Sequence, residues 1–111
     1  MIGKTYLAAA LAALICAPAL ADDLTPKIAA QLIPPNAEIH ISWISPATDV
    51  EGRTIKVACG EVTVRNPSGF DTSTFVYVID DDKLLVAWQE QWTKEPDPQG
   101  YRKVMRYCPG R

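Results

Sequence analysis

The stretch TIKVACGEVTVR, residues 54–65, changes phase in its middle. Before Gly60 the apolar side chains are Ile55, Val57 and Cys59, all at odd positions; after it they are Val62 and Val64, both even. Alternation with period two is the signature of a strand with one buried face. One extra residue at a bulge near Gly60 would return both sets to the same face. That reading turns Cys59 inward and Lys56, Glu61, Thr63 and Arg65 outward. Asn66-Pro67-Ser68-Gly69 then closes the strand with strong turn chemistry.

Working outward, Ile39, Ile41 and Trp43 alternate with His40 and Ser42, which predicts a preceding strand. Residues 45–53 carry Pro46, Asp49 and Gly52 and read as a loop. Thr25-Pro26 suits a helix start, with Ile28, Ala29, Leu32 and Ile33 as its apolar stripe and Pro34-Pro35 as its end. On the other side, TFVYVI at 74–79 is apolar on both faces and predicts a central strand. Asp80-Asp81-Asp82 makes the turn into a strand over 83–91, where Leu84, Val86 and Trp88 share one face with the more terminal Trp92. Asp97-Pro98 opens a last helix, with Tyr101, Val104, Met105 and Cys108 at helical spacing; a strand over 101–107 is the competing reading. The expected fold is α+β: a small antiparallel sheet of about four strands, a short N-terminal helix, a C-terminal helix and one disulfide.

The chain has 111 residues, 48% hydrophobic and 22% charged, with a formal charge of −2. That length accommodates one domain, and the composition argues against a disordered or collagen-like chain. Residues 1–21, MIGKTYLAAALAALICAPALA, combine Lys4, a short apolar run and the small-x-small triplet Ala19-Leu20-Ala21. This is the pattern of a secretory signal peptide, leaving residues 22–111 as a single mature α+β domain. The apolar run is too short to cross a bilayer and is broken by Pro18, so no stable membrane insertion is expected after cleavage. Cys16 follows Ile15 rather than a small residue and lies inside the apolar run, which does not suit a lipid anchor.

Cleavage would leave 90 residues and a charge of −3, because Lys4 is the one charged residue removed. A domain of that size has a marginal core. Cys59 and Cys108 are then the two remaining cysteines, and an oxidising compartment pairs them. No Cys-x-x-Cys is present, and one histidine with two cysteines is too few for a metal site. No cofactor is expected.

The run Cys59-Gly60-Glu61-Val62-Thr63-Val64-Arg65-Asn66, with Gly69 after it and Pro34-Pro35-Asn36-Ala37 before it, resembles a motif of small uncharacterised exported bacterial proteins. Those read Cys-Gly-x-Val-Asn-x-Lys-Asn followed by a Gly-rich aromatic turn. The match spans about twenty residues; Thr63 replaces the usual asparagine and Pro67 enters the turn. The resemblance implies a periplasmic or secreted, sheet-based domain and carries no activity.

Candidate chemistry is sparse. His40, the single histidine, falls on a polar strand face and reads as a surface residue. There is no nucleophile elbow. Glu61 and Glu90 are the carboxylates that a small hydrolase of cell-wall or glycan material would use, yet each suits a solvent face. Counted as a calcium loop from Asp80, the sixth and twelfth places hold Leu85 and Gln91, so the acidic run reads as a turn. No Gly-rich phosphate loop occurs, and the acidic net charge opposes nucleic-acid binding. The C-terminal basic residues Arg102, Lys103, Arg106 and Arg111 read as a solvated helix face. The aromatic residues are the better hint: Trp43 and Trp88 are expected in the core, whereas Trp92 sits at a strand end beside a Pro-rich linker. Trp92, Tyr101 and Arg102 are therefore the candidate recognition patch. The expected role is a non-enzymatic exported module that binds another protein of the envelope or extracellular space, or serves as an accessory subunit of one.

Overall fold

A computed structural model describes residues 23–109. The segment read as a signal peptide lies outside the described residues. The chain is helical over 23–30 (α1) and then forms four strands, β1 (Glu38–Thr48), β2 (Thr54–Asn66), β3 (Gly69–Val78) and β4 (Lys83–Val86). A 3-10 turn at Glu90–Trp92 and the helix α2 (Gly100–Tyr107) complete it. The strands form one antiparallel meander in the order β1-β2-β3-β4, with β2 and β3 central. The α+β architecture, the helix near each end and the Cys59–Cys108 disulfide are as the sequence predicts.

The phase change in β2 has a different cause from the one expected. The β2–β3 register runs unbroken from Val57 opposite Val78 to Asn66 opposite Gly69, so β2 carries no extra residue against β3. Alternation therefore continues through Gly60, and the two apolar sets lie on opposite faces of the sheet. Ile55, Val57 and Cys59 join Val76, Val78, Leu85 and Ala87 on a front face, under Val104, Tyr107 and Cys108 of the C-terminal segment. Ala58 and Val62 join Phe75, Tyr77, Leu84 and Val86 on a back face, under Leu24 and Ile28 of α1 and Leu32 just after it. The two covers are staggered along the strand. Burial on the front ends at Cys59, whereas burial on the back continues to Val62, and the parity of the apolar residues follows the cover.

The bulge is in β1. Ile41 pairs with Gly60 and Trp43 with Cys59, leaving Ser42 as the extra residue. There the β1 backbone presses onto Gly60: a Cβ on that residue would lie 2.0 Å from the His40 carbonyl oxygen. Gly60 is required for this close approach, not for an unusual backbone angle.

α2, with eight residues, is too short to be stable alone, and both helices pack their apolar residues on the sheet. Around α1 the apolar stripe is Leu24, Ile28 and Leu32; Ile33, expected in it, is 57% exposed. Pairing of Leu32 with Thr93 and a hydrogen bond from Lys94 N–H to the Gln31 carbonyl (2.9 Å) fasten this end of the chain to the segment after β4. At α2, Asp97 orders the start: its Oδ1 accepts Gln99 N–H (2.8 Å) and its Oδ2 pairs with Lys103 Nζ (2.8 Å). Cys108 bonds to Cys59 with Cα atoms 5.9 Å apart, closing a separation of 49 residues. A loop of that length contributes about 4 kcal/mol in the chain-entropy view, a large share of a small domain's stability.

The Asp80-Asp81-Asp82 run is a turn in which each acid has a structural partner. Asp80 Oδ1 accepts Lys56 N–H (2.6 Å), Asp81 meets Arg53 (3.4 Å), and Asp82 takes the left-handed conformation, φ 48°. Asp82 also accepts from the Tyr77 hydroxyl and from Gln31 Nε2 (3.0 Å). Burial and the neighbouring Asp82 carboxylate push the Tyr77 pKa from 10 up to about 12.

Two outcomes follow from this packing. Gly60→Ala should lower the free energy of urea unfolding by about 3 kcal/mol, the cost of forcing apart a packed backbone; a loss under about 1 kcal/mol would mean that β1 lifts away freely. In an ultraviolet titration one tyrosine should ionise only near pH 12, and Tyr77→Phe should remove that step. Because the folded pKa is the higher one, its stabilising effect is complete below pH 10 and is lost as pH rises towards 12.

Candidate functional site

Three large side chains are exposed at two places on the sheet, two of them beyond the end of β4, where the backbone explains their exposure. Ala87 N–H still reaches the Thr74 carbonyl (2.9 Å), extending the β3–β4 ladder by one step. Trp88 then takes φ 60°, a conformation that costs a bulky residue of order 1–3 kcal/mol. This reversal ends β4 after four residues and carries the chain away from β3. Trp88 is left 62% exposed and stacks on Tyr101, itself 44% exposed, with ring centroids 4.7 Å apart and planes tilted by 43°. Tyr101 is held there because Gly100 brings the first turn of α2 against the Val86 backbone, where a Cβ would lie 3.2 Å from the carbonyl oxygen.

Of the expected patch, the structure places Tyr101 and Arg102 exposed on the first turn of α2. Trp92 is elsewhere. Its ring is half-buried against the back-face core, and its carbonyl accepts Ile33 N–H (2.7 Å). The expected burial of the tryptophans is thus reversed for two of three: Trp88, expected in the core, is exposed, and Trp92, expected at the surface, packs. Trp43 is half-buried against the front core. The reason is tertiary. Period two correctly aligns Leu84, Val86 and Trp88, but the strand ends before Trp88. No local signal marks a tryptophan for the left-handed region.

The hairpin joining β2 to β3 supplies the third side chain. Phe70 is 61% exposed and lies under the Arg65 guanidinium, 5.1 Å from the ring centre. A cation over an aromatic face is weakly attractive at such an exposed position, about 0.5–1 kcal/mol. Asn36, Glu38 and Thr63 join this pair around a shallow hollow of about 360 Å³. A second groove of about 540 Å³ runs between β1 and the end of α2, lined by Trp43, Pro46, Ala47 and Tyr107 among others. Sequence reasoning passed over Phe70; the signal was an aromatic residue directly after the turn glycine Gly69.

The carboxylates are distributed structurally. Glu61 is exposed on β2, opposite His40 in the β1 register, so His40 is the surface residue expected but faces an acid across strands. Glu90 opens the 3-10 turn beyond β4, two strands away from Glu61. Asp49 accepts Glu51 and Arg53 N–H bonds (2.9 and 2.8 Å) and pairs with Arg53 Nε (2.8 Å); that guanidinium holds its carboxyl below the ordinary range. Lys103 does the same for Asp97. These acids order loops. Among the described residues no three metal-ligating side chains come together, and no helix is long and apolar enough to cross a membrane.

No family model, curated protein or solved structure matches the chain.

The exchange of the two tryptophans is directly measurable. Trp88→Phe should remove most of the acrylamide-quenchable fluorescence, whereas Trp92→Phe should leave it in place. The opposite pattern would contradict the burial described here.

Proposed function

We propose that this protein is an exported, disulfide-stapled, non-enzymatic module that binds another protein of the bacterial envelope or extracellular space. The observation that carries the reading is the exposed Trp88–Tyr101 stack. Exposure of two stacked aromatic rings leaves apolar surface in water, and a strained tryptophan backbone maintains that exposure. Both costs are typical of a surface kept for a partner. Tryptophan, tyrosine and arginine are also the residues that most often anchor protein interfaces, and Arg102 follows Tyr101 directly. The recognition patch becomes Trp88, Tyr101 and Arg102, with Trp92 acting as a brace for the back face.

Export is supported by the leader-like pattern of residues 1–21, by the disulfide and by the short motif around Cys59. A protein partner is favoured over a small molecule because the aromatic patch is a surface and not a deep cavity. The carboxylate-hydrolase alternative draws no support from the placement of Glu61 and Glu90.

The test uses a photo-crosslinking residue at position 88, with the same residue at the exposed Val50 as control, in the producing cell. A discrete protein adduct from position 88, absent from position 50 and abolished by Arg102→Glu, is the expected result. Adducts of equal pattern from both positions, or a mature protein recovered from the cytosol with reduced Cys59 and Cys108, would overturn the proposal.

A further inference from the structure

β4 is much shorter than the strand it pairs with. It faces Phe75–Val78, and Ala87 adds one bond to Thr74, so Gly69–Ser73 of β3 is paired on the β2 side alone among the described residues. The direction of the open backbone groups follows from one bond. Because the Thr74 carbonyl points to the β4 side, and successive residues of a strand point to alternate sides, Phe70 and Thr72 direct their N–H and C=O groups to the open edge. Ile79 N–H, at an odd position like Asp71 and Ser73, bonds to Lys56 on the β2 side, in agreement with this parity.

The other free edge, β1, is interrupted by the Ser42 bulge and by Pro46, devices that discourage strand addition. Gly69–Ser73 has neither. It is flat in register and about 17 Å long, with exposed Phe70 near one end and the Trp88–Tyr101 stack at the other. Arg65 lies over Phe70 and Arg102 follows Tyr101; neither pairs with a carboxylate among the described residues. The single acid on this edge, Asp71, accepts a hydrogen bond from Asn66 Nδ2 (2.6 Å).

We infer that Gly69–Ser73 of β3 is a strand-addition site for an extended segment of another polypeptide, with apolar side chains against Phe70 and Trp88 and carboxylates meeting Arg65 and Arg102. The inference rests on the proposed binding role and specifies the partner's conformation and charge. Main-chain bonds to Phe70 and Thr72 would supply affinity, and the rings and guanidiniums selectivity. A second copy of this chain suits the edge poorly: antiparallel pairing about a two-fold axis would bring the Arg65 end of one copy beside the Arg102 end of the other.

The probe is a displayed library of random twelve-residue peptides, selected on the oxidised protein, with the best binder made synthetically for titration by amide NMR. The expected result is enrichment of peptides with Asp or Glu flanking alternating apolar residues, and shifts at the Phe70 and Thr72 amides. Thr72→Pro, which deletes an outward N–H and no β2–β3 bond, should weaken binding about tenfold. Thr72→Val keeps the N–H and should bind within about twofold of the parent. Peptides that perturb Trp88 but leave those amides unmoved and bind Thr72→Pro normally would overturn strand addition while leaving the aromatic binding role intact. Absence of any enriched peptide that perturbs Trp88 would overturn both. The same amide shifts appearing with protein concentration alone, alongside a dimer in sedimentation, would replace the peptide with a second copy.

Discussion

The central strands carry apolar side chains on both faces, and covering those two faces with one helix each is the constraint that the rest of the molecule answers to. A helix of eight residues such as α2 contributes little stability of its own, and the described turns of α1 are likewise held to the sheet by further contacts. On the front, the Cys59–Cys108 bond fastens the end of α2 to the middle of β2. On the back, Leu24, Ile28 and Leu32 supply apolar contact, while Gln31 clasps the β3–β4 turn: its Oε1 accepts Leu84 N–H (2.8 Å) and its Nε2 donates to the Asp82 carbonyl (2.9 Å). One covalent staple and one polar clasp do for this small body what a larger core does elsewhere.

The stagger of the two covers shapes the exposed surface. Because front-face burial stops at Cys59, the β2–β3 hairpin extends beyond the front cover, with Thr63 bonded to Thr72 (2.9 Å) and Arg65 over Phe70 in the open. Because Trp88 reverses the chain, β4 stops short and leaves the adjacent length of β3 with one partner. Exposed rings and an open edge therefore arise together from the way the chain crosses from the front of the sheet to its back and returns.

Much of this was readable residue by residue. Period two marked the strands, Pro34-Pro35 and Asn66-Pro67-Ser68-Gly69 marked ends and turns, and Asp97 marked the start of α2. The Asp80–Asp82 run was legible as a turn because its spacing fails a calcium loop. The candidate site was half legible: Tyr101 and Arg102 belong to it, but Trp92 and Trp88 exchange places. Strand periodicity continues formally through Trp88, and the contact with Tyr101 that accompanies its exit from the sheet lies thirteen positions away in the chain.

By itself, then, the chain's order of residues determined the elements and the pairing of the two cysteines that follow the leader-like segment, because each depends on short-range preferences or on simple count. The strand ends were not so fixed, since β1 runs on through 45–48, β3 begins at Gly69 and β4 stops at Val86. Tertiary structure decided which face each half of β2 buries, which strand holds the bulge, and which tryptophan meets water. Those outcomes depend on where two distant helices land. Alternation records that a side chain points to one side or the other, and carries no information about what waits there.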